Sequence, residues 1–96
     1  MTSTPPSEPG AETATDWVAR LAVELGVEPL SPRTQAEVLG LARDVARGTE
    51  RMAAPLASFV AGRHVQRAVE SGGDVEDALR EVSAAAERLL GPSTTR

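Results

Sequence analysis

The sequence predicts an all-α domain, a compact four-helix bundle with a disordered amino-terminal tail, and three observations carry that expectation. Apolar side chains recur every three or four residues in four separate segments. Each segment is bounded by residues that start or stop helices. The β-branched residues within them are valines at helical spacing, with no period-two run longer than a few residues to suggest a strand. Short connections between consecutive helices favour antiparallel neighbours, hence a bundle.

Residues 1–12 contain Pro5, Pro6, Pro9 and Gly10 among Ser and Thr. With almost no large apolar group to bury, they cannot offset the entropy of ordering and read as a flexible tail. The first helix is expected from about Asp16 to Leu25. Thr13, Thr15 and Asp16 offer capping oxygens, Val18, Leu21, Ala22 and Leu25 form its stripe, and Gly26 supplies a left-handed stop. Trp17 is expected to close the end of the core or to pack beneath the tail; an exposed Trp17 would instead mark a binding surface.

Ser31 followed by Pro32 starts the second helix, because a missing N–H costs nothing at the first helical position. Val38, Leu41, Ala42 and Val45 make its stripe, and Gly48 reads as its stop. A third helix begins near Pro55 and ends at Gly72 and Gly73. Asp74 then caps a fourth, with Val75, Leu79, Val82, Ala86 and Leu89 as its stripe. Gly40 and Gly62, inside helices, suggest close helix approach at those points. The domain proper is thus residues 13–90, with 91–96 a second flexible tail.

Composition narrows the function. The chain of 96 residues has room for one core and little for a deep cleft. It has no Cys, which excludes disulfides, thiolate metal sites and cysteine nucleophiles. No apolar run approaches the roughly 18 residues of a membrane span, and the first ten residues lack a secretory pattern, so the cytoplasm is expected and no membrane partner. The net charge of −4 argues against nucleic acid. All ten basic residues are Arg, and Ile, Asn and Tyr are also missing, a pattern of GC-rich codon usage. Residues 33–67 nevertheless carry six Arg against three acids, between acidic flanks.

Within that basic middle, Leu56, Phe59 and Val60 share a helix face with Arg63 and Arg67, while Val65 and Val69 lie roughly opposite. Two readings are open. Arg63 and Arg67, joined by Arg43, Arg47 or Arg51, form a site for phosphate or for a partner's carboxylates. The second, which weighs more, is that they are surface or edge arginines whose stems pack on the core. His64, the single histidine, lies in no metal-ligand spacing and is expected to be partly buried or at the rim. Glu76, Asp77 and Glu81 read as a solvated face, with Glu76 and Arg80 an i, i+4 pair. No catalytic residue, cofactor or metal is indicated.

The stretch Leu41-Ala-Arg-Asp-Val-Ala-Arg-Gly-Thr-Glu-Arg-Met-Ala-Ala-Pro-Leu-Ala-Ser-Phe-Val-Ala-Gly resembles a small uncharacterised helical domain of actinobacterial proteins. Its most specific part is Ala53-Ala-Pro-Leu56 with Glu50 and Arg51 before it. Trp17 and Leu25-Gly-Val27 look like that domain's first helix. The likeness spans roughly residues 14 to 90 and departs after Gly62, where Arg63-His64-Val65-Gln66-Arg67 replaces a small apolar run. Such domains occur alone or fused behind a molybdenum cofactor guanylyltransferase. The resemblance therefore implies a non-enzymatic accessory or docking role in molybdopterin guanine dinucleotide synthesis, with Arg43, Asp44, Glu50 and Arg51 as matching polar positions. The expected interaction surface is Arg43, Asp44, Arg47, Glu50, Arg51, Arg63 and Arg67. The expected partner is a guanylyltransferase; anionic-ligand binding and a self-associating homodimer are the alternatives.

Overall fold

The computed structural model describes residues 12–91. The expected tails therefore lie outside the described residues, apart from Glu12 and Gly91. Four helices are present, α1 (Ala14–Leu25), α2 (Pro32–Gly48), α3 (Ala53–Glu70) and α4 (Val75–Leu90), and no strand occurs among the described residues. The all-α, four-helix class follows. The chain divides into two units, Met1–Ser31 and Pro32–Arg96.

In the first unit, α1 begins two residues before the expected start because Thr13, one of the three capping candidates, is the cap. Its hydroxyl accepts the Asp16 N–H at 3.0 Å. The helix ends as expected at Gly26, whose φ of 74° is left-handed. The Gly26 N–H donates to the Val23 carbonyl and the Val27 N–H to that of Ala22, the paired bonds of a Schellman motif. Arg20 and Glu12 form an exposed ion pair at 3.0 Å.

The second unit holds a three-helix core. Leu41 and Val45 from α2, Ala61 from α3 and Leu79 from α4 are buried together, with Val38, Ala53, Ala57, Val65, Val75, Val82 and Ala86 packed around them. α2 and α4 run side by side in the same direction: Arg33 reaches Glu76 at their amino-terminal ends, and Gly48 abuts Leu90 at their carboxy-terminal ends. α3 runs back against both. The turn from α3 to α4 is a second Schellman motif, with Gly72 N–H on the Val69 carbonyl and Gly73 N–H on that of Ala68. Gly72 has φ 93°, and a Cβ on Gly73 would stand 2.9 Å from the Ala68 oxygen, so both glycines are needed here. The Asp74 carboxylate then accepts the Asp77 N–H at 3.1 Å, as the sequence led us to expect.

Several expectations are corrected. Close approach occurs at neither Gly40 nor Gly62: a Cβ on Gly40 would meet only the Arg43 guanidinium at 3.8 Å, and one on Gly62 nothing within 4 Å. The crowded glycine is Gly48, which is the last residue of α2 itself and where a Cβ would stand 2.5 Å from Leu90 Cδ2. The α4 stripe does not include Leu89, which is 88% exposed. Leu90 is the half-buried residue at that end, because its side of the helix meets α2. Glu76 pairs with Arg33 across helices, while Arg80 pairs with Asp77, so the expected Glu76–Arg80 pair is absent. An i, i+3 carboxylate lies as near to Arg80 as an i, i+4 one, and Glu76 is drawn to the neighbouring helix.

Candidate interaction surfaces

Among the described residues, exposed large apolar side chains cluster most on two helices, α1 and α3. On α1, Trp17, Val18, Leu21 and Leu25 lie within about 100° of one another around the axis. All four are exposed, Trp17 at 54%, and Ala22 alone on this helix is buried. Within its own unit, the described residues therefore leave the α1 stripe and Trp17 largely exposed. Amphipathic spacing records that a face needs covering, and not which surface covers it.

On α3 the buried side is built from small residues. Ala53, Ala57, Ala61 and Val65 recur every fourth position and face the core. Leu56, Phe59 and Arg63 lie about 140° to 160° around the helix from Ala61 and so point outward. Phe59 is 69% exposed, and Met52, Leu56 and Val60 are exposed with it. The face that Leu56, Phe59 and Val60 share with Arg63 is thus the outer one, and the side of Val65 is the one that packs. Leucines from α2 and α4 fill the centre, and the alanines let α3 approach closely enough to cover them.

The seven polar positions expected to form one surface do not converge. Arg43 and Arg47 lie about 160° around α2 from Leu41 or Val45, on its outer side. Asp44 borders an open furrow of about 310 Å³, whose lining also includes Arg33, Glu37, Gly40 and Ser83. Glu50 and Arg51 occupy the connection between α2 and α3. Arg63 and Arg67 stand on the outer side of α3, both exposed. Among the described residues, none of the seven takes part in an ion pair. Arg63 instead sets its guanidinium 5.9 Å from the centroid of the Phe59 ring, a cation–π contact.

His64 is partly buried, as expected, with its Nε2 2.8 Å from Glu81 Oε1, a link from α3 to α4. Nothing in the spacing pointed to that partner, since the pairing joins residues 17 apart. Among the described residues no group of three or more His, Asp or Glu is placed to hold a metal ion, and no helix is long and apolar enough to cross a membrane.

Fold and surfaces together define a small all-α domain whose exposed apolar faces lie on α1 and α3. The chain belongs to the family described as a domain of unknown function, DUF6457, whose model matches residues 9–94. No curated protein and no solved structure matches it.

Proposed function

We propose that this chain is a non-enzymatic docking domain that binds its partner through the apolar face of α1, with Trp17 as the anchor. The observation that carries the reading is Trp17 itself, half-exposed on a helix side shared with Val18, Leu21 and Leu25. A tryptophan flanked by aliphatic residues is the composition of an energetic hot spot, because its large rigid surface gains the most from being desolvated. The Schellman stop at Gly26 and the Thr13 cap hold the helix that presents it.

The proposed partner is a molybdenum cofactor guanylyltransferase, acting with this domain in the cytoplasm. The support is the resemblance of the Leu41 to Gly62 stretch and of Trp17 to domains fused behind that enzyme. The test is co-elution and titration calorimetry of the full chain with the guanylyltransferase of the same organism. Complex formation at micromolar concentration is expected, with Trp17→Ala weakening it by about 2 kcal/mol or more. No complex, or one indifferent to Trp17→Ala, would overturn the reading.

A further inference from the structure

The charged groups of α1 border its apolar stripe on one edge only. With 3.6 residues per turn, Glu24 stands about 20° from Trp17 and Arg20 about 60°, both on the side away from Val18. Beyond Val18 the other edge carries Thr15, Ala19 and Ala22, none of them charged. Arg20 is tied back to Glu12 at 3.0 Å. Glu24 is exposed and takes part in no ion pair among the described residues.

Glu24 also sits where the helix itself disfavours a carboxylate. It is in the last turn of α1, which holds no basic residue, beside the partial negative charge of the terminal carbonyls. Arg20, one turn earlier, is the cation that could offset it, and Glu12 holds that cation instead. Glu28 adds a second acid just past the Gly26 stop. A charge that costs the isolated helix stability, placed on the rim of the stripe next to Trp17, is accounted for by a contact made outside the chain.

We infer that the surface receiving α1 is an apolar groove with a cationic rim along the Trp17 side, and that Glu24 reads that rim. The partner chemistry, resting on docking through α1, is then aliphatic side chains against Val18, Leu21 and Leu25 and an Arg or Lys beside Glu24. Turned end for end in the groove, the helix would carry Glu24 to the opposite rim. The single charged edge therefore also fixes the direction in which α1 lies.

The experiment is titration calorimetry of the full chain with the guanylyltransferase, beside thermal melts followed by the fluorescence of Trp17, the chain's single Trp. Glu24→Gln is expected to weaken the complex about threefold and Glu24→Arg about tenfold, with neither lowering the melting temperature. A residue that merely held α1 together would lower it. Val23 is exposed and lies about 120° or more around the helix from each of the four stripe residues. Val23→Arg makes the same change of net charge as Glu24→Gln on that far side, and should alter affinity by less than about twofold. A complex weakened by Trp17→Ala but indifferent to both Glu24 variants overturns this inference and leaves docking through α1 standing. Equal weakening by Glu24→Gln and Val23→Arg overturns it too, because net charge alone would then be the cause. No complex at micromolar concentration overturns both.

Discussion

At the scale of single residues, the signals that worked are those whose chemistry is satisfied within a few positions. Thr13 and Asp74 each accept an N–H three residues ahead, and Gly26 and Gly72 take the left-handed backbone that ends a helix. Nothing distant is needed to decide such features. Replacing Asp74 by Ala is expected to remove about 1 kcal/mol of stability, a fall of roughly 4 to 8 °C in Tm by calorimetry. Gly62 tests the opposite case. It sits inside α3 with nothing within 4 Å of the place a methyl would take, so Gly62→Ala should stabilise the protein by about 0.5 to 1 kcal/mol in urea unfolding. Trp17 is the residue whose surroundings local rules could not supply, since an indole at a helix start suits a core edge and a binding face equally well.

At the scale of elements, α3 shows how a helix is legible while its orientation is not. Its ends, its length and the sharing of one face by Leu56, Phe59, Val60, Arg63 and Arg67 all follow from spacing. The bulkiest apolar cluster nonetheless faces outward, and the line of alanines faces in. Hydrophobicity favours burying Phe59, but close packing against Leu41 and Leu79 requires small side chains at the contact, and packing decides. Two substitutions distinguish the faces. Ala61→Leu is expected to destabilise by about 1 to 3 kcal/mol through overpacking, whereas Phe59→Ala should change stability by less than about 0.5 kcal/mol, both read from chemical denaturation of the same preparation. A large loss from Phe59→Ala with Ala61→Leu tolerated would mean that the helix is turned the other way.

At the scale of the whole molecule, the core is made of few and small side chains, so its leucines carry a large share of stability. Leu79→Ala should lower it by about 3 kcal/mol, or roughly 12 to 24 °C in Tm, a substantial part of the margin a domain this size possesses. Under the proposed docking through α1, Trp17→Ala is expected to weaken binding of the guanylyltransferase while leaving the helical fold intact; calorimetry reads the first and far-ultraviolet circular dichroism the second. The sequence by itself determined the helical class, the four helices and most of their ends, because caps, stops and periodicity are satisfied by hydrogen bonds and steric limits within a turn or two. It also marked the arginines and the apolar groups beside them. Only the tertiary structure decided that Arg43 and Arg47 stand apart from Arg63 and Arg67, that Glu81 reaches His64, and that Leu56, Phe59 and Leu89 face solvent. Those outcomes depend on which face of each helix packs, a competition among whole surfaces that no single helix's spacing can settle.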